Sequence, residues 1–178
     1  FFANPSSIHT PGRVVRNKIE TARQKIAQIL LTNPEEIIFT SGATESCNLA
    51  IKGTVFSAIE KGIKPHLIIS AFEHHAVLEP ALWLEKRGIV ELSVIKPNKQ
   101  GIIAPEKVEK AIKKNTLLVS IMMVNNEIGT IQPIEKIGKI IKRINRHRKN
   151  PIFFHTDATQ AVSYLEVIPR KLRVHLLS

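Results

Sequence analysis

Leu117-Leu118-Val119-Ser120-Ile121-Met122-Met123-Val124 is the longest nearly apolar stretch of the chain, and Asn125-Asn126-Glu127-Ile128-Gly129 follows it at once. A short apolar run without polar alternation, closed by a turn, reads as a strand buried on both faces. It is far too short to cross a bilayer. Such a strand needs helices above and below it, and the flanking sequence supplies them. Upstream, the spacing predicts helices over 10–31, 43–61, 76–87 and 105–114 and strands over 36–40, 67–70 and 89–95. Downstream, Pro133 opens a further helix and 152–156 is a strand. Strand and helix alternate at the spacing of βαβ units, which predicts an α/β fold with a mainly parallel sheet flanked by helices. Ligands of such sheets sit at the carboxyl ends of the strands, so the strand ends are where chemistry is expected.

The chain has 178 residues, 43% of them hydrophobic, which fits one globular domain and excludes a disordered or collagen-like chain. Its 26 Lys and Arg against 15 Asp and Glu leave a net charge of +11. That balance alone would suggest a polyanion partner. Much of the local excess, however, alternates at helical spacing with Ile134, Ile137, Ile140, Ile141 and Ile144, from Lys136 through Lys149. This is the pattern of a solvated helix face, with no interleaved aromatic residues, and it argues against direct nucleic-acid binding. One cysteine, Cys47, rules out an internal disulfide framework and points to the cytoplasm. No membrane segment is expected.

Four strand ends carry polar residues. Strand 36–40 runs into Ser41-Gly42-Ala43-Thr44-Glu45, a small-residue turn opening a helix, whose free N–H groups and dipole suit a phosphate. It lacks the spacing of a Walker A loop or a dinucleotide fingerprint, and an ordinary helix start reads equally well. The other ends are Glu73-His74-His75, Asn125-Asn126-Glu127 and Asp157-Ala158-Thr159-Gln160. A carboxylate, carboxamides and an imidazole converging on a phosphate turn would suit a flat, charged heteroaromatic cofactor. Taken singly, Asn125-Asn126 could be a turn, Asp157 a helix cap, and the histidine pair a metal site or nothing. Neither Glu73-His74-His75 nor His155-Thr156-Asp157 has the spacing of a metal motif, so no metal is expected.

Five blocks in order carry a family resemblance: Asn4-Pro5-Ser6-Ser7-Ile8-His9, Thr40 to Ser46, Glu73 to Val77, Val124 to Thr130, and His155 to Gln160. They resemble the successive signatures of cysteine desulfurases of the NifS/IscS type, over nearly the whole chain. The resemblance implies the aminotransferase class V fold, the large domain of a pyridoxal 5'-phosphate (PLP)-dependent transferase of fold type I. That domain has a mainly parallel seven-stranded sheet and belongs to a homodimer. It implies that Ala43 and Thr44 bind the cofactor phosphate, that His74 stacks on the ring and moves protons, and that Asp157 pairs with the pyridine nitrogen. Asn126 and Gln160 would reach the ring oxygen. His155 would support Asp157, His75 would be surface or helix cap, and Asn4 to His9 would be a substrate-side segment without a catalytic role.

The implied reaction takes sulfur from L-cysteine, giving L-alanine and an enzyme persulfide for an iron–sulfur scaffold or tRNA-thiolation acceptor. Residues 1–178 would then be most of the PLP-binding large domain, ending before the lysine that carries the cofactor as a Schiff base, with the small C-terminal domain and the persulfide cysteine beyond it. Cys47, in the helix after the phosphate turn, reads better as a small core residue than as that cysteine. Related PLP enzymes remain alternatives: a selenocysteine lyase, a cysteine sulfinate desulfinase or an aminotransferase. So does a non-enzymatic basic binding module.

Overall fold

The computed structural model describes residues 2–178, which divide into two compact units, one ending at Phe39 and the other Thr40–Ser178. The first unit is built on helix α1, Thr10–Leu30. His9 caps it, its Nδ1 accepting from the Gly12 N–H at 3.2 Å. Gly12 is needed there because a Cβ would fall 2.6 Å from the Ser7 carbonyl oxygen and 2.7 Å from that of Asn4. The Asn4-to-His9 block is thus a turn folded onto the start of α1. The strand expected over 36–40 is absent. Pro34–Glu36 forms a 3-10 turn and residues 37–40 run on without regular structure. Ile37 is extended, but Ile37 to Thr40 find no partner strand, and Ile38 and Phe39 stay exposed, with the Arg23 guanidinium over the Phe39 ring. β-prone residues without a ladder do not make a strand.

The second unit carries the sheet. In chain order it contains α2 (Ala43–Ile59), β1 (His66–Ser70), α3 (His75–Lys86), β2 (Glu91–Ile95), α4 (Pro105–Ala111), β3 (Thr116–Ser120), α5 (Ile134–Asn145), β4 (Phe153–Thr156), α6 (Pro169–Leu172) and β5 (Leu176–Leu177). The five strands lie in the order β2-β1-β3-β4-β5, all parallel, against the seven implied for a whole large domain. Every residue of β1 is buried, as an apolar run in a parallel sheet covered on both faces should be. Its side chains alternate between two cores. Leu67 and Ile69 join Leu118, with Ile51 and Val55 of α2 and Val77, Ala81 and Leu84 of α3. Ile68 joins Val119 and Phe154, with Val108 of α4 and Ile134, Ile137 and Ile141 of α5.

The basic helix therefore behaves as its spacing predicts. Its isoleucines face the sheet while Lys136, Lys139, Lys142 and Arg143 are exposed, two of them pairing with Glu135 and Glu109. Arg148 departs from that pattern. Its guanidinium donates to the carbonyls of Lys113, Lys114 and Thr116 at 2.8–3.0 Å, tying down the loop that feeds β3.

Two ends of α3 show how local chemistry sets the elements. Gly88, at φ 69°, closes the helix: its N–H reaches the Glu85 carbonyl at 2.7 Å and that of Ile89 reaches Leu84 at 3.0 Å. Near the other end, Pro80 has no N–H for the Ala76 carbonyl, and Asn48 of α2 supplies one at 3.3 Å.

In this order the chain leaves β1 toward β2 on one side, whereas β3 and its successors lie on the other. The sheet therefore has a switch point between β1 and β3, the place where a parallel sheet opens a crevice at its carboxyl edge.

Candidate functional site

A cleft of about 360 Å³ opens at that switch point, lined by Ala43, His74, Met122, Val124, Asn126, Asp157, Thr159 and Gln160. Four segments deliver these residues: the start of α2 and the turns after β1, β3 and β4. Five of the six site residues expected from sequence, Ala43, His74, Asn126, Asp157 and Gln160, thus meet around one space. Thr44, the sixth, is exposed and faces a neighbouring groove with Asn48, Lys52 and Trp83, which shares His74 with the cleft. Met122, Val124 and Thr159 line the cleft without having been singled out.

Asp157 forms the floor. It is 6% exposed, and its Oδ1 accepts from both the N–H and the hydroxyl of Thr159, at 3.0 and 2.6 Å. The signal for Thr159 was present in Asp-x-Thr, the spacing at which a carboxylate caps the chain two residues on. The asparagine pair divides its work. Asn125 is buried and makes the turn: its Oδ1 accepts from Glu127 and Ile128, and its Nδ2 donates to the Phe72 carbonyl at 3.1 Å. Asn126 is left exposed at the cleft.

His74 caps α3, its Nδ1 accepting from the Ala76 N–H at 3.1 Å. That bond places the ring proton on Nε2, so the exposed edge of the ring offers a donor. His75 is exposed and sits 3.5 Å from Glu79, as a surface residue, while the capping falls to His74.

At the start of α2 no side chain caps the helix, and the backbone N–H groups of its first turn have no partners four residues back. Glu45 reaches back to the Ser41 N–H at 2.6 Å, and that bond holds its carboxyl below the usual range.

His155 does not bond the Asp157 carboxylate. Fully buried, it takes Ser120 on Nδ1 at 2.8 Å and Ser178 on Nε2 at 3.0 Å, and Ser178 in turn meets Ser46 of α2 at 2.8 Å. It supports the cleft by joining β3, β4, the residue after β5 and the first turn of α2. Burial lowers its pKa to about 4, against the pull of Asp157, so the ring is neutral.

Cys47 lies under the same turn with no exposed surface, and burial, then the Asp157 charge, push its thiol up to about 12. That is the reverse of what a nucleophile needs. Glu73, quoted from sequence without a role of its own, is also buried and bonds Ser70 and Met122. Among the described residues no group of three or more His, Cys, Asp or Glu could hold a metal ion.

The donor set has the chemistry of a PLP site. A sunken carboxylate suits a protonated ring nitrogen, carboxamides suit a ring oxygen, and the open end of α2 suits a phosphate.

Comparison with known proteins gives the family. A cysteine desulfurase IscS of Dictyoglomus turgidum is 49% identical over 99% of this chain, and one of Methanosarcina thermophila 46% identical over the same share. The chain spans 43% and 42% of their lengths. A solved structure described as SspA in complex with cysteine superposes with a TM-score of 0.91 at 42% identity, covering 99% of this chain and 48% of that one. A NifS-like protein gives 0.87 at 38% identity, over 97% of this chain and 45% of its own. The aminotransferase class-V model matches residues 1–178 from end to end, and together with the cleft at the switch point it shows that the chain belongs to the aminotransferase class-V family.

Proposed function

We propose that the full-length protein carrying these residues is a PLP-dependent cysteine desulfurase acting on L-cysteine. The observation that carries this reading is the meeting of Ala43, His74, Asn126, Asp157 and Gln160 around one cleft at the carboxyl edge of a parallel sheet. The likeness to proteins named cysteine desulfurase supports the choice of substrate.

When bound, PLP supplies an electron sink that stabilises negative charge on the substrate carbon beside the amino group. The chain's own residues make that sink work. Asp157, held by Thr159, keeps a proton on the ring nitrogen through charge and a hydrogen bond. Asn126 and Gln160 hydrogen-bond the ring oxygen. The backbone N–H groups at Ala43 and Thr44 bind the phosphate with the dipole of α2 behind them. His74, with its proton on Nε2, presents a donor at the rim; to take a proton there it must first release the Ala76 N–H.

In the net reaction the C–S bond of L-cysteine breaks and an S–S bond forms on an enzyme thiol. The thiol proton ends on carbon, giving L-alanine and a persulfide. Cys47 is the wrong thiol, being buried and held protonated. On this reading residues 1–178 are most of the PLP-binding large domain, and the anchoring lysine and reactive cysteine belong to the part its relatives have in addition. A homodimer in the cytoplasm, passing sulfur to an iron–sulfur scaffold or a tRNA-thiolation protein, completes the proposal.

The test is to supply the purified full-length protein with PLP and L-cysteine and to follow the visible band of the cofactor, alanine release and persulfide. All three are expected. A cofactor band without alanine or persulfide would sink the desulfurase reading, and faster turnover of selenocysteine or cysteine sulfinate would redirect it to those lyases.

A further inference from the structure

Glu73 stands where β1 leaves the sheet, directly before His74, and is 6% exposed. Its Oε1 accepts from the Ser70 hydroxyl and, at 2.8 Å, from the Met122 backbone N–H. One carboxyl group therefore joins the end of β1 to the end of β3, across the switch point where the cleft opens. Its Oε2 is buried and has no hydrogen-bond partner.

None of the ion pairs among the described residues involves Glu73. The titratable groups that face it are Asp157, from the end of β4, and the Cys47 thiol, from α2. Neither stabilises a negative charge. An ionised carboxylate here would keep one oxygen away from water with nothing opposite it, beside a second anion. A carboxylic acid is the lesser difficulty, because its Oε1 keeps both hydrogen bonds and what stays unpaired on Oε2 is a neutral O–H rather than part of a charge. Burial correspondingly pushes Glu73 up to about 8.

We propose that Glu73 is a positioning residue that works as a neutral acid, protonated on Oε2, holding the Met122-to-Asn126 turn against β1 and leaving Asp157 the one buried negative charge among the described residues. Its consequence for the cofactor rests on the function proposed above. A floor with one negative charge matches one protonated ring nitrogen, whereas a second buried anion would face nothing.

Two measurements on the full-length protein separate this inference from the cofactor reading. The first is infrared spectroscopy of the cofactor-free protein with isotope-labelled glutamate at pH 7. A non-ionised carboxyl band in the wild type that vanishes in Glu73→Gln is expected; no such band would overturn the proposal. The second is PLP affinity by fluorescence titration. Glu73→Gln keeps the acceptor and places a donor where the acid proton was, so its dissociation constant should stay within about threefold, while Glu73→Ala, which loses both bonds, should raise it about tenfold or more. Equal damage from both substitutions would overturn the proposal, and if Glu73→Ala does not fold, the glutamine variant and the infrared band still decide. A wild type with the carboxyl band but no affinity for PLP would defeat the cofactor reading and leave the neutral acid standing.

Discussion

Asp157 keeps its carboxylate in one place because Thr159 grips the same oxygen twice, through its N–H and its hydroxyl. Bonds to a charged acceptor contribute about 1.5–3 kcal/mol each. Thr159→Val should therefore leave the fold intact and reduce turnover of the full-length enzyme about tenfold, the lower end of that range. Asp157→Ala removes the charge itself and should cost about a hundredfold or more, with PLP retained less tightly and the melting temperature within a few degrees of wild type. Steady-state kinetics beside thermal melts check both, and full activity in Asp157→Ala would remove it from the site. At this scale sequence was a good guide to residues with unusual chemistry at a strand end, such as His74 and Asp157. It was a poor guide to their supports. Whether His155 bonds Asp157 or a pair of serines depends on Ser120 and Ser178, 35 and 23 residues away in the chain. No local pattern encodes that distance.

Helices α5 and α6 touch at a point where only glycine fits. A Cβ on Gly138 would lie 2.4 Å from the Leu172 carbonyl oxygen and 2.8 Å from the Arg173 Cβ. The near atom is backbone, and Arg173 beside it is already in the left-handed region at φ 61°, so neither side can yield cheaply. Gly138→Ala, although favourable for an isolated helix, should destabilise the protein by about 1–3 kcal/mol as an overpacked contact. A lowered urea midpoint at unchanged slope is the expected result; an unchanged midpoint would show that α6 moves away freely. Elements differ in the same way in how far they could be read. Helices α1 to α5 were legible because apolar residues recur in them at helical spacing, with ends marked by Gly88 and Pro133, whereas α6, four residues long, offered no such period. Residues 36–40 misled because β-prone side chains mark a strand only if a neighbour offers a ladder, and pairing is a property of the assembled sheet. The strand read over 117–124 ends at Ser120. Beyond it the backbone continues to bond β4, through Ile121 and Met123, but turns to bring Met122 and Val124 to the cleft.

For the molecule as a whole, the order of strand ends carried most of the functional reading, since a parallel sheet puts all its carboxyl ends on one edge. The same burial that builds this edge makes stability depend on pH. His66, held between Thr116 and Ser93 at 2.8 Å, and His155 are both pushed down to about 4 by burial, and His175 is lowered too. From pH 6.5 down toward 4 the unfolded chain binds protons at these histidines that the folded chain refuses. Their contribution is complete above 6.5 and is lost as pH falls. Glu73 acts in the opposite sense. Raised to about 8, it keeps its proton in the fold while the unfolded carboxyl gives it up above 4.5, so its term declines as pH rises toward 8. At the acid end of this range the unfolded state binds roughly one proton more than the folded state, two from His66 and His155 less one from Glu73, the difference passes through zero near 6.5, and toward 8 the unfolded state binds up to one fewer. Stability should therefore rise by about 1.4 kcal/mol per pH unit at the acid end, level off near 6.5 and fall by at most a similar slope on the alkaline side. The exposed carboxyls Glu45, Glu91 and Glu135 are lowered, and their terms act only below 4.5. Cys47, raised to about 12, adds a further decline above 9. Urea midpoints of the cofactor-free protein, taken from pH 5 to 8.5, should peak near 6.5. Glu73→Gln should flatten the alkaline side and steepen the acid side, where Glu73 otherwise offsets one histidine, and an alkaline decline unchanged in that variant would assign the lost proton to another group.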